Sequence, residues 1–326
     1  MKRIFTAIIG LASTLLPISS HAETSGFISD MKAHNVFNTI ELAANIGTTG
    51  LGLEVASPMT EWAKLRVGFD CMPKFRRDME FGVENYIGNE VAANFDRINE
   101  MMMDLTGQSV DRTLHMESKP TMTVLRFLVD VYPFKSNRHW HITAGFFVGG
   151  NSIGTTVNKP DDMASLMALK MYDALYRTTT SDEFVRNPEE YPLFGFLTFN
   201  KETAGQFQKK MLNAGQIGIY VGDNKDGSPC MLLPDEEGIF KMKTIVNRFR
   251  PYIGFGYGEN LSKDGRWQAS FDAGVQFWGG TPKLTANDGT VINDLTNLSK
   301  DTKSYIDLMK AMPVYPTLDF RISYRF

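Results

Sequence analysis

Thr317-Leu318-Asp319-Phe320-Arg321-Ile322-Ser323-Tyr324-Arg325-Phe326 closes the chain. Every even-numbered residue is apolar or aromatic, and every odd-numbered residue up to Arg325 is polar or charged. A period of two is the pleat of a β-strand. Strands of soluble sandwiches alternate too. They rarely spend two arginines and an aspartate on one face while the chain ends on a bare Phe. The stretch predicts a strand with one face in hydrocarbon and the other in a confined polar interior.

Working outward, the same alternation returns in seven more segments. Trp267, Ala269, Phe271, Ala273, Val275 and Phe277 alternate with Gln268, Ser270, Asp272, Gly274 and Gln276. Phe249, Ile253, Phe255 and Tyr257 stand against Arg248, Arg250, Tyr252, Gly254 and Gly256. Trp140, Ile142, Ala144, Phe146 and Val148 stand against His139, His141, Thr143 and Gly145. Leu125 to Tyr132, Leu65 to Met72, Leu51 to Ala56 and Ile40 to Ile46 complete the set. The connections sort by length. Those at 47–50, 57–64, 133–138 and 258–266 are short, whereas about 74–119, 150–242 and 278–316 are long. With the N-terminus on the periplasmic side, every long connection falls outside the cell, the asymmetry of outer-membrane barrels. The fold class expected is therefore all-β: an antiparallel up-and-down transmembrane β-barrel spanning 39–326, of eight strands, with long extracellular loops carrying short helices. A wall of ten to twelve strands is the alternative, because Leu193–Phe199 and Gln216–Val221 also read as short strands.

In that barrel the apolar face meets lipid and the polar face lines the lumen. The lumen face then carries Glu41, Glu54, Asp70, Asp130, Asp272 and Asp319 together with Arg66, Arg126, Arg248, Arg250, Arg321 and Arg325. Burying so many charges in a soluble core costs more than it returns. Inside a narrow barrel they can pair, arginines gripping carboxylates bidentately. Trp140, Tyr257, Trp267 and Phe326 fall at the periplasmic strand ends in phase with the lipid face, forming one aromatic girdle. The outer girdle is less clear, with Trp278 and Tyr315 near uncertain strand ends.

Met1-Lys2-Arg3, the short apolar run Ile4–Ile18 and Ser20-His21-Ala22 have the form of a secretory signal peptide over 1–22, followed by a periplasmic segment over 23–38. No stretch after residue 22 has the 18 or so apolar residues of a membrane-spanning helix. Aromatics at 12% and a net charge of −3 exclude a disordered chain and give no basic footprint for nucleic acid. Mean hydropathy is −0.21, low for a helical membrane protein. Cys71 and Cys230 are too few for a disulfide scaffold, although an exported protein permits a bond between them.

At these residues a resemblance emerges. The Phe-terminated aromatic strand looks like the assembly signal of outer-membrane β-barrel proteins of diderm bacteria. Arg250-Pro251-Tyr252-Ile253-Gly254-Phe255-Gly256-Tyr257 and Ile142-Thr143-Ala144-Gly145-Phe146-Phe147-Val148-Gly149 resemble strand phrases of small porin-like, OmpA-like barrels. Asn45-Ile46-Gly47 through Pro73 resembles their opening hairpins. The resemblance covers the strands, about a third of the chain, and brings no catalytic motif. It implies an outer-membrane address, a barrel held in outer-membrane lipid, and recognition by the barrel-assembly machinery. It names no cofactor and no extracellular partner.

The long connections carry helical stripes: Val91, Phe95, Ile98, Met102 and Leu105; Met163, Leu166, Met167, Met171, Ala174 and Leu175 after Pro160-Asp161-Asp162; and Leu295, Leu298, Thr302, Tyr305 and Met309. They read as helices packed over the barrel mouth in preference to a Met-rich ligand cap. No nucleophile elbow or zincin motif occurs. His139 and His141 lie two apart on the lumen face, where hydrogen bonding is the ordinary role and metal binding the rarer one. Ser152, at the other end of that strand, is badly placed to work with them as lipid-modifying outer-membrane enzymes pair His and Ser. A closed surface scaffold is the first expectation, a porin or small-solute transporter the second, an outer-membrane enzyme the third. The mature protein is expected to fractionate with the outer membrane after cleavage behind Ala22. Phe326→Ser is expected to lower the yield of heat-modifiable barrel. Wild-type yield from that variant would contradict the terminal-strand reading.

Overall fold

The computed structural model describes residues 37–326 apart from 135, 194, 196 and 312; the expected signal peptide lies outside them. Eight antiparallel strands close a barrel. In chain order they are β1 (Glu41–Gly47), β2 (Gly50–Thr60), β3 (Ala63–Cys71), β7 (Thr123–Val131), β8 (Trp140–Gly149), β13 (Phe249–Asn260), β14 (Trp267–Phe277) and β16 (Val314–Arg325). Each pairs with the next of this set, and β16 returns to β1 with Leu42 opposite Tyr324 and Ile46 opposite Phe320. These are the eight segments expected from alternation, within four residues at every end.

The phase is as expected. Leu53, Phe255, Ile253, Phe271, Leu318 and Phe320 are exposed on the outer wall, while Glu54, Asp70, Asp130, Arg66, Arg126 and Arg321 are buried inside. The outward set is continuous around the barrel. It is an apolar belt of the kind that hydrocarbon, not water, accommodates. At the end that carries the short turns, Trp140 packs edge-on to Tyr257 at 5.1 Å, and Trp267 lies 5.0 Å from Tyr324, which contacts Phe326 at 4.9 Å. At the other end, where the sequence leaves the girdle unclear, the aromatics are arranged differently. Trp278 is buried and stacks on Tyr315, whose hydroxyl donates to the Thr48 carbonyl. Phe249 and Phe277 are the exposed aromatics there.

The long connections do more than carry helices. They supply β4 (Arg77–Ile87), β5 (Glu90–Val91), β6 (Thr113–Pro120), β9 (Ser152–Asn158), β10 (Gln216–Asp223), β11 (Pro229–Leu232), β12 (Lys241–Ile245) and β15 (Lys283–Ala286). These strands build a second, antiparallel sheet in the order β11-β10-β4-β6-β9-β12-β15, with β5 paired to β4. At five places barrel and upper sheet are joined by a break of only two to five residues, as where β8 becomes β9 across Gly150 and Asn151. At the β14–β15 break, Gly279 and Gly280 take φ of 78° and 134°, a course that disfavours any side chain.

Helices α1 (Phe95–Thr106), α2 (Met163–Thr180), α3 (Asp182–Arg186), α4 (Lys201–Ala214) and α5 (Lys300–Lys310) cover this sheet. Leu166, Leu169, Tyr172 and Leu175 of α2 meet Ile98, Met102, Met211, Ile306 and the sheet residues Phe81, Leu114, Ile219 and Met242 in one apolar core. The expected stripes are mostly core, but their phase needs correction. Met163, Met167 and Met171 are exposed, whereas Leu169 and Ile306 are buried. Gln216–Val221 belongs to β10, above the barrel. Among the described residues of 193–199 Leu193 bridges Leu197, and neither segment belongs to the barrel wall. Cys71 and Cys230 are unbonded, and burial pushes the Cys230 thiol up, away from thiolate chemistry.

Phe320→Arg places a charge on the lipid face near the middle of β16. It is expected to destabilise the barrel by about 2–4 kcal/mol in urea-unfolding measurements in lipid. No change would show that the inside–outside phase is wrong.

Candidate functional site: the charge-filled lumen

Alternation brings every lumen residue to the same side of the wall, and strand register decides which heights they share. Asp272 of β14 stands opposite Asp319 of β16 and Gly256 of β13. Glu54 of β2 stands opposite Gly68 of β3, where the missing side chain leaves the space that Arg126 fills. These positions converge on Glu54. One of its carboxylate oxygens accepts from Arg66 Nε at 2.9 Å and Arg321 Nη1 at 2.7 Å. The other lies 3.0 Å from Arg126 Nη2.

From this hub the network spreads. Arg66 Nη1 is 3.0 Å from both Asp130 Oδ1 and Asp272 Oδ1. Thr143 donates to Asp130, and His141 Nε2 lies 2.8 Å from Asp272. Arg126 Nη1 donates to Asp319 at 2.8 Å and approaches Asp70 at 3.6 Å. Asn45 donates to both Asp70 and Asp319, Thr49 donates to Asp70, and Arg321 Nε donates to Ser270. Five carboxylates thus meet three guanidiniums, and Asn45, Thr49 and Thr143 add neutral donors to Asp70, Asp319 and Asp130. A second cluster sits at the short-turn end, where Lys64 and Arg325 both donate to Glu41 at 2.8 and 2.7 Å.

Ten of the twelve expected lumen charges enter these two clusters. Two do not. Arg248 precedes β13 and is exposed, because the strand starts one residue later and the preceding turn swings its side chain outward. Arg250 is fully buried but donates to the Asn247 and Gly150 carbonyls, not to an acid. Lys64 is absent from the expected set because β3 begins two residues earlier than its apolar pattern suggests. Its number already lies in phase with Arg66, Gly68 and Asp70. His141 has the lumen phase in the sequence, but nothing there identifies Asp272 as its partner.

Asp130, His141 and Asp272 place three donor atoms within 4.8 Å of one another, the one such buried group among the described residues. The residues do not suit a metal ion. The Arg66 guanidinium lies 3.0 Å from both carboxylates and takes the position a cation would need. His139 and Ser152 stay apart from this group. His139 lines the mouth at the short-turn end and meets the Gly258 carbonyl at 2.8 Å, while Ser152 opens β9 of the upper sheet.

The lumen closes in layers. At the short-turn mouth a vestibule of about 620 Å³ is lined by Glu41, Lys64, Tyr132, His139, Gln268 and Arg325. Beyond it the void among Thr49, Arg66, Arg126, Tyr252, Asp272 and Asp319 is about 10 Å³, room for about one water. Val124, Leu128, Phe147 and Tyr252 form an apolar cluster beside these charges, and Leu128, Phe147 and Tyr252 line the same void. The Tyr252 ring lies along the wall over Gly254 and Gly274, whose bare positions leave it room. A Cβ at either would lie 2.4 or 2.5 Å from its hydroxyl.

No protein-family model matches the chain, and no curated protein sequence does. Among solved structures it is similar to CarO2 and CarO of Acinetobacter baumannii. Both are 11% identical with a TM-score of 0.37 over 88% of this chain, covering 98% and 97% of theirs. It is also similar to a major outer membrane protein from Thermus thermophilus, at 10% identity and a TM-score of 0.28, over 88% of this chain and 98% of that one. At these values no residue is carried across from them.

Arg66→Leu would strand Glu54, Asp130 and Asp272 in a confined interior and is expected to cost about 3–5 kcal/mol in urea unfolding. Arg248→Leu, at an exposed site, is expected to stay within about 0.5 kcal/mol of wild type. Equal effects of the two changes would contradict the assignment of Arg66 to the network and Arg248 to the surface.

Proposed function

We propose that this chain is an outer-membrane β-barrel protein with a plugged lumen, serving as a scaffold that presents its extracellular sheet-and-helix domain at the cell surface. The observation carrying this reading is the fully buried Arg66–Glu54–Arg321 centre, above which the void shrinks to about one water. Eight strands enclose an interior that side chains fill, and here the side chains are charged and mutually paired. Solute passage would require several of these ion pairs to part together. The apolar belt and periplasmic aromatic cluster support residence in a membrane. The Phe-terminated last strand supports delivery by the barrel-assembly machinery. The extracellular domain has an apolar core of its own, so it can hold a fixed shape outside the lipid. Its partner is not specified by any residue described above.

Transport of a small solute is the second reading. The specific observation favouring it is the periplasmic vestibule, whose volume falls in the range of small-molecule sites.

Conductance of the refolded mature protein in a planar bilayer separates the two. No large steady current is expected at neutral pH. Arg126→Met is expected to raise the frequency of brief openings, because it loosens Glu54 and Asp319 together. A stable, high-conductance channel in the wild type would overturn the scaffold reading in favour of transport.

A further inference from the structure

The junction between barrel and extracellular domain holds a cation that the charge network does not compensate. Arg250 is fully buried, and no carboxylate of the described residues lies within 4.0 Å of its guanidinium. Its Nε donates to the Asn247 carbonyl at 2.8 Å and its Nη2 to the Gly150 carbonyl, while Nη1 has no partner. Carbonyl oxygens satisfy hydrogens but do not neutralise the charge. A buried cation without a counter-charge is costly.

Unpartnered donors collect on the same side of the wall. Gln276 is fully buried, and neither atom of its amide has a hydrogen-bond partner. Trp278 is 5% exposed, and its indole N–H is likewise unpartnered. Gln276 stands directly opposite Tyr252 in the β13–β14 register. Arg250 lies two residues before Tyr252 and Trp278 two residues after Gln276, so all three side chains share the lumen-facing phase. The backbone brings the outer two together as well. Asn247, whose carbonyl accepts from Arg250, donates its N–H to the Trp278 carbonyl at 3.4 Å. Arg250 and Gln276 are diagonal neighbours on paired strands, a span of about 7–8 Å that long side chains can bridge to one shared ligand.

A guanidinium, an amide NH₂ and an indole N–H form a donor set for an anion. A water molecule would satisfy hydrogens here but leave the charge. We propose that Arg250, Gln276 and Trp278 bind a small monovalent anion of chloride size at the top of the lumen. The ion compensates Arg250. It also ties β13 and β14 to Gly150, the residue where β8 passes into the upper sheet, and so fixes the extracellular domain on the barrel.

The test uses the refolded mature protein and bromide as the probe. Crystals grown in bromide are expected to show an anomalous peak within hydrogen-bonding distance of Arg250, Gln276 and Trp278, and to lose it in Arg250→Met. The thermal midpoint in chloride is expected to exceed that in gluconate at equal ionic strength and to rise with the logarithm of chloride concentration, as linkage to one bound ion requires. In Arg250→Met that dependence should vanish. Should this variant fail to fold, Gln276→Leu carries the same expectation of a weakened or absent peak. Ordinary water density at the three donors, with no anomalous signal and equal midpoints in the two salts, would overturn the proposal. So would a bromide peak that survives Arg250→Met, which would mark an adventitious ion only.

Discussion

Glu54 and the three guanidiniums around it set the terms for the rest of this molecule. Moving a carboxylate out of water costs several kcal/mol even after relaxation, and one partner rarely offsets it. Glu54 has Arg66, Arg126 and Arg321. Each of those cations reaches at least one further oxygen, on Asp130, Asp272, Asp319 or Ser270. The cluster is satisfied only when β2, β3, β7, β14 and β16 hold their registers at once. A slip of one residue in any of them would turn its charges into lipid. Hydrocarbon outside and ion pairs inside therefore specify the same register from opposite sides of the wall.

The upper sheet and its helices inherit that order. Five short breaks join barrel strands to strands of the upper sheet, so the barrel fixes where the second sheet begins and how its strands are spaced. The apolar residues Val124, Leu128, Phe147 and Tyr252 are interleaved with the charge network, Leu128 opposite Arg66 and Phe147 opposite both Arg126 and Arg250. Arg250 donates to carbonyls at that level and not to an acid. The upper sheet then buries one face under helices, and its core resembles that of a soluble domain, not that of the barrel beneath.

The barrel is legible in the sequence because its physics is local: a strand between lipid and a charged lumen must alternate, and Leu318 to Phe326 does so without a break. The charged partners are legible as a set but not as pairs. Glu54 and Arg321 are 267 residues apart, and only closure of the wall brings them to 2.7 Å. Arg248 falls outside the lumen because alternation does not reveal where a strand begins. The second sheet is hidden for a different reason. Strands such as Arg77–Ile87 and Ser152–Asn158 meet helices on one face and polar surroundings on the other, so neither face is purely apolar. Helix α4 does carry one local sign, the capping box that Asn200 and Thr203 form at its start. In α2 the methionines suggest one phase, whereas Leu166, Leu169, Tyr172 and Leu175 carry the burial.

The central claim is that the lumen is dry and held by mutual ion pairing. A double-mutant cycle on Arg66 and Glu54, read by urea unfolding of the refolded protein in lipid, tests it most directly. In a dry interior, removing both partners should cost less than the sum of the single losses by at least about 2 kcal/mol, since each single change leaves an unpaired buried charge. A coupling below about 1 kcal/mol, the value of solvent-exposed ion pairs, would mean that water fills the barrel and would contradict the account.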